Sequence, residues 1–160
     1  MATATTAPPY GVYAALVGGF GAGVAGVAAV AGALGRRPEQ LRPLDLLVLS
    51  AATFKAARTI AHDEVTSFIR EPFVQEEAHE GGEHAVEDGG ARQAIGELLT
   101  CTRCVGMWTA GALGSIHVLA PRAGRMLTWS LAAAAANDFL QAGFSALTTK
   151  ANELEERVEG

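Results

Sequence analysis

The chain's only two cysteines, Cys101 and Cys104, stand in the run Glu97-Leu98-Leu99-Thr100-Cys101-Thr102-Arg103-Cys104-Val105-Gly106-Met107-Trp108, at the mouth of an apolar stretch. On a helix that spacing puts both sulfurs on one face, and a helix start favours the thiolate. Three chemistries are open to such a pair: a disulfide or redox couple, part of a metal site, or inert packing. At about 1.5 Å per helical residue, Cys104 lies about 25 Å from Pro121 and His62 about 28 Å from Pro43, so these groups share a depth. Cys101, Cys104, His62 and Asp63 are therefore a candidate S/N/O ligand set for zinc. A single C-x-x-C supplies only half of the usual four ligands, which leaves metal, bridge and packing all in play. A quinone-linked thiol oxidase relays electrons between two cysteine pairs, and this chain has one.

Lys55, Arg58 and Asp138 carry charge inside otherwise apolar stretches. Ionisable groups in a membrane span are costly, so they usually face the bundle interior and find partners. Lys55 lies about 12 residues beyond Pro43 and Asp138 about 13 beyond Arg125, which sets both roughly 18 to 20 Å above the same end. An ion pair between Asp138 and either Lys55 or Arg58 near mid-membrane is expected, as a register lock or, less simply, as a proton or ion relay.

Other motifs exclude more than they suggest. His79-Glu80-Gly81-Gly82-Glu83-His84 is one residue too long for H-E-x-x-H, and its glycines oppose the helix that motif needs. Gly21-x-Gly23-x-x-Gly26 follows no strand and carries no phosphate-binding claim. A net charge of −5 without a basic cluster excludes nucleic acid as a partner. His117 reads as a packed or hydrogen-bonded histidine.

The elements that must hold these residues are apolar helices. The chain is 49% hydrophobic but only 6% aromatic, so its apolar mass is mostly Ala, Leu and Val, suited to close helix packing. No side chain from Met1 to Gly35 is charged, more than the roughly 20 residues that cross a hydrocarbon core. Residues 1–9 carry no positive charge, so residues 11–34 read as a retained span rather than a cleaved signal. Further spans are expected over 44–63, 98–119 and 126–147. A flexible acidic loop is expected over 75–93, where Glu76, Glu77, Glu80, Glu83, Glu87 and Asp88 gather among glycines. The fold class is thus all-α, an integral membrane bundle of about four transmembrane helices in one domain, 11–149. A flexible N-terminus, 1–10, and a polar tail, 150–160, flank it.

Within the first span Gly19 and Gly23 stand four apart, a spacing that aligns small residues on one face. That face serves either packing inside the bundle or a seam with another chain. Arg36, Arg37 and Arg42 in the first connector, with Arg122 and Arg125 in the third, mark the cytoplasmic side. Both termini and the acidic loop then face outward.

Two blocks resemble a bacterial multi-pass membrane family, domain of unknown function 1360, which includes sporulation-associated members. The first runs Thr53-Phe54-Lys55-Ala56-Ala57-Arg58-Thr59-Ile60-Ala61-His62-Asp63, then on through Arg70 to Pro72-Phe73. The second is Gly96-Glu97-Leu98-Leu99-Thr100-Cys101-Thr102-Arg103-Cys104-Val105-Gly106-Met107-Trp108. The resemblance implies a small multi-pass helical protein with Asp63, Arg70, Glu97, Cys101, Cys104 and Trp108 at motif positions, and it implies no established activity. The chain departs from the pattern by its Gly/Ala-rich first span and by Thr102-Arg103 between the cysteines.

The expected function is a non-enzymatic membrane protein of the bacterial cell membrane, a structural or assembly component. It would meet the lipid bilayer and copies of itself or other membrane proteins, with a polar layer of Asp63, Arg70, Glu97 and Arg103 tying helix ends together. One alternative is a thiol-redox or zinc protein using Cys101 and Cys104. A second is a pore, holin-like or transport element using Lys55, Arg58 and Asp138.

Overall fold

Pro9 and Gly35 bracket the first helix, α1 (Tyr10–Ala33). Gly35 takes φ 64°, a left-handed conformation that costs glycine little. Its N–H bonds Gly32 O at 3.0 Å while Arg36 N–H bonds Ala31 O at 2.9 Å, the two linkages of a Schellman cap. That cap turns Arg36 back onto a neighbouring helix end. The structure, a computed structural model, describes residues 7–36, 42–75 and 83–159, without the side chains of 156, 158 and 159. The start of the expected flexible N-terminus, Arg37 of the basic connector, the acidic-loop residues Glu76, Glu77, His79 and Glu80, and the last residue of the tail lie outside the described residues.

Helix α2 (Pro43–His62) starts with Pro at its first position, where the missing N–H costs nothing. The Asp45 carboxylate accepts the Arg42 N–H at 3.0 Å, and the negative charge suits the helix start. A 3₁₀ turn (Glu64–Thr66), the one-turn helix α3 (Ser67–Arg70) and a second 3₁₀ turn (Glu71–Phe73) follow. Helix α4 (Ala91–Thr100), α5 (Thr102–Leu119) and α6 (Pro121–Glu159) complete an all-helical fold. The 39 residues of α6 extend about 58 Å.

Two expected boundaries differ. Residues 98–119 do not form one helix, because Cys101 takes an extended backbone (φ −98°, ψ 101°) that ends α4 and starts α5. Nor is the described part of the acidic loop structureless. Val74 and Ala85 form an antiparallel bridge, flanked by Gln75 N–H to His84 O at 3.0 Å and Val86 N–H to Phe73 O at 3.1 Å. Val86 is buried, so this segment has an apolar anchor despite its charge.

The helices alternate in direction. α2 packs most extensively against α6 and α5, and the buried residues of these helices are Ala52, Ala57 and Ala61 on α2, Val105, Thr109 and Leu113 on α5, and Thr128 and Ala135 on α6. At the corner between α5 and α6, a Cβ on Gly124 would lie 2.8 Å from the His117 backbone, so only glycine allows this approach. α1 sits at the edge. It meets α5 where Phe20 contacts Trp108 edge to face, ring centroids 5.3 Å apart, in the notch left by Gly111. Among the described helices, α1 alone is long and apolar enough to cross a membrane. α2 carries Asp45, Lys55 and Arg58, and the apolar part of α6 is interrupted by Asn137, Asp138 and Gln141, which lowers the apolarity of both.

Candidate functional site

The end of the bundle where α2 stops and α5 starts gathers most of the polar chemistry. α2 ends with unpaired carbonyls, as any helix does. Arg70, only 1% exposed, reaches back over them. Its Nη1 donates to Ile60 O at 2.8 Å, Asp63 O at 3.1 Å and Thr66 Oγ1 at 3.0 Å. Nε and Nη2 donate to the two Glu83 carboxylate oxygens at 2.7 and 3.0 Å. A cation is favoured at a helix C-terminus, and the two-point carboxylate pair compensates the desolvation of its charge.

Beside this cap, Cys101 and Cys104 form a disulfide, their Cα atoms 5.2 Å apart. Cys101 is also the N-cap of α5, its Sγ accepting the Cys104 N–H at 3.3 Å. Cys104 is exposed and Cys101 half-buried. His62 Nε2 and Thr102 Oγ1 are 2.8 Å apart, which ties the last residue of α2 to the first of α5.

The expected zinc ligands therefore do not converge. The sulfurs are joined to each other, His62 is engaged by Thr102, and Asp63 points to Lys55. Among the described residues no group of three or more His, Cys, Asp or Glu is placed to hold a metal ion.

Lys55 Nζ lies 2.8 Å from Asp138 Oδ2 and 3.8 Å from Asp63 Oδ2. Asp63 closes α2, so the ammonium is drawn toward the disulfide end rather than to the middle of the helices. One turn further along, Arg58 is exposed and is not the partner of Asp138. The aromatic faces beside the pair stack, Phe54 on Phe139 with centroids 5.6 Å apart.

The polar layer expected from Asp63, Arg70, Glu97 and Arg103 resolves into separate clusters. Arg70 is the hub of one, to which Asp63 lends a carbonyl. Glu97 belongs to another: Tyr13 OH donates to Glu97 Oε2, Gln93 Nε2 donates to Glu97 Oε1 at 2.9 Å, and Gly89 N–H donates to Gln93 Oε1 at 2.9 Å. This chain fastens α1 to α4. Arg103 is exposed and joins neither. Gly19 and Gly23 are exposed, with nothing within 4 Å of a Cβ at either, so their face is not packed inside the chain.

Sequence reasoning missed Glu83, Tyr13, Gln93, Thr102 and Thr128. For Glu83 the only signal was the acidity of its loop, which does not single out one carboxylate for Arg70. Thr128, 1% exposed, donates to Gly124 O at 2.8 Å and lies 3.0 Å from His117 Nε2, so that nitrogen carries the hydrogen.

Residues 48–144 match the family described as "Protein of unknown function (DUF1360)". The chain is 33% identical over 97 residues to "Sporulation protein YjcA" of Bacillus subtilis, covering 57% of this chain and 82% of the relative. It is 30% identical over 105 residues to "UPF0713 protein YngL" of the same organism, covering 64% of this chain and 80% of that relative. No solved structure matches it significantly. The matched residues contain the Arg70 cap, the Lys55–Asp138 pair and the disulfide, and by that match the chain belongs to the DUF1360 family.

Proposed function

We propose that this chain is a non-enzymatic, four-span membrane protein that serves as a structural or assembly component. One observation carries the reading: the distribution of side chains is inverted relative to a water-soluble domain. The largest fully buried side chains are Arg70 and Thr128, and Ala52, Ala57, Ala61 and Ala135 line the helix contacts. Leu44, Leu47, Met126, Phe139, Leu140, Phe144 and Leu147 are exposed, several by more than two thirds of their surface. In water that much large apolar surface is unfavourable, whereas helices in lipid associate through small residues and turn large ones to the acyl chains. α2, α5 and α6 each carry enough residues to cross a bilayer. Their polar groups are then satisfied by partners such as the Lys55–Asp138 pair. The likeness to a sporulation protein extends the proposal to a role in sporulation.

Membrane extraction and single-cysteine mapping test this. In a chain with Cys101 and Cys104 replaced by Ser, cysteines placed at Arg122 and Glu153 are expected to react with an impermeant maleimide from opposite faces of the membrane. Release of the chain by alkaline carbonate, or labelling of both sites from one face, contradicts the four-span arrangement.

A second reading has its own observation. Cys104 is exposed, and its partner Cys101 accepts the N–H of the third residue of α5 at its Sγ. An incoming thiolate would attack Cys104 Sγ, break the S–S bond and expel Cys101 as a thiolate that the amide stabilises. A second thiol then releases an external disulfide and leaves the protein a dithiol, a two-electron reduction in balance. Full reactivity of the bridge toward dithiothreitol in folded protein supports this role, and complete resistance removes it.

A further inference from the structure

At the end of the bundle opposite the disulfide, α1, α2, α5 and α6 line an open cleft of about 1320 Å³. It opens beside Gly114 of α5, where nothing lies within 4 Å of a Cβ position, one turn beyond the Gly111 notch that Phe20 occupies. The volume exceeds the roughly 300–1,000 Å³ of most small-molecule pockets. Its walls are Val24 and Val27 from α1, Val48 and Leu49 from α2, and Trp129 from α6. The polar groups of the wall are already spent: Ser115 bonds Gly111 O at 2.6 Å, and His117 and Thr128 bond each other. Nothing in the interior asks for a polar ligand.

The rim does. Arg36, Arg42 and Arg125 line it, against the single carboxylate of Asp45. Asp45 is engaged in capping α2 through the Arg42 backbone N–H. Arg36 uses Nη1 to hold Val118 O and Leu119 O at the end of α5. Arg42 and Arg125 are exposed, and among the described residues no carboxylate pairs with either guanidinium. Two guanidiniums on the rim of an apolar cleft, with no carboxylate partner among the described residues, are complementary to a phosphate group that carries a hydrocarbon tail. Guanidinium binds phosphate at two points, and basic pockets between membrane helices on the cytoplasmic side take acidic lipid headgroups. This is also the end that the connector arginines assign to the cytoplasm.

We propose that this cleft binds a phospholipid with an anionic headgroup, its phosphate held by Arg42 and Arg125 and an acyl chain lying along Val48, Leu49 and Trp129. The inference rests on the membrane reading above. Bound lipid would fill the gap that keeps α1 at the edge, and so fasten α1 to the bundle.

Trp129 reports occupancy directly in a Trp108→Phe background. The full chain is reconstituted in phosphatidylcholine vesicles containing a minor fraction of either phosphatidylglycerol or phosphatidylcholine with brominated acyl chains. Brominated phosphatidylglycerol is expected to quench Trp129 at several-fold lower mole fraction, at about fivefold per arginine engaged. The preference should vanish in Arg42→Gln/Arg125→Gln and persist in Arg42→Lys/Arg125→Lys, which keeps the charge. Equal quenching by the two lipids in the parent chain, or an unchanged preference in the glutamine variant, overturns the proposal. Displacement by inorganic phosphate would assign the rim to a soluble anion and overturn the lipid. Failure of the membrane reading looks different: the chain would not float with vesicles, and neither lipid would quench.

Discussion

Arg70 and Glu83 form a two-point ion pair at 2.7 and 3.0 Å with the guanidinium 1% exposed, joining the end of α2 to the far side of the acidic loop. Removing one member of a buried pair leaves the other charge desolvated, at a cost of roughly 3–5 kcal/mol. Arg70→Ala also removes the guanidinium from the Ile60 carbonyl, while Asp63 O keeps the Thr66 N–H and hydroxyl. It is expected to lower the thermal midpoint sharply and reduce accumulation in membranes. Glu83→Gln leaves the buried guanidinium without its counter-charge and is expected to destabilise as well. A midpoint for Arg70→Ala within a degree or so of the parent would contradict the cap.

Lys55 and Asp138 are expected to behave as a pair that fixes the register of α2 against α6. Lys55→Asp or Asp138→Lys alone places like charges within contact distance and should impair accumulation. The exchange Lys55→Asp with Asp138→Lys should recover a large part of it. Asp63 complicates the exchange, since it lies 3.8 Å from Lys55 and would repel an aspartate there. Adding Asp63→Asn to the exchange is therefore expected to improve the rescue, which a blot of the membrane fraction would measure. No rescue by either combination would rule out the pair as a register lock.

Lys55 and Asp138 were legible in the sequence because helix rise fixes depth, and depth alone brought them to one level. The same arithmetic placed His62 and Asp63 beside the cysteines but said nothing of facing. In the structure Asp63 turns to Lys55 and His62 to Thr102. Cys101 illustrates the other limit. An extended residue between two helical runs has no strong composition signal when it stands between two threonines in an apolar stretch, so 98–119 read as continuous. The Arg70–Glu83 pair lay beyond local pattern altogether, because loop composition reports charge but not the single residue that a distant cation selects. Gly19 and Gly23 share a face as their spacing requires, yet spacing does not say what that face meets.

Reduction of Cys101–Cys104 is expected to leave the fold intact. The bridge closes a very short loop, for which the chain-entropy model allows about 2 kcal/mol at most. Cys104→Ser should shift the thermal midpoint by a few degrees at most, far less than Arg70→Ala. Alkylation with a mass-shifting maleimide should require prior reductant, since the structure leaves no free cysteine. Full modification of freshly prepared, unreduced protein would show instead that the thiols are free.

The glycines divide into two groups by what a methyl group would meet, and their substitutions should divide the same way. At Gly96 a Cβ would lie 2.5 Å from Phe73 O, and at Gly124 it would lie 2.8 Å from the His117 backbone. Neither neighbour is a side-chain tip that can swing away, so Gly96→Ala and Gly124→Ala should each destabilise by about 1–3 kcal/mol. At Gly19 and Gly23 there is open space. Gly19→Ala and Gly23→Ala should therefore keep the thermal midpoint of the monomer in detergent, or raise it slightly, because alanine is the better helix former. Their effect should appear only between chains. If the small-residue face of α1 is the seam of an assembly, Gly19→Ile with Gly23→Ile will weaken association in a membrane cross-linking assay while the monomer stays folded. Unchanged cross-linking by that double variant would leave the face to lipid alone and move the seam to another surface.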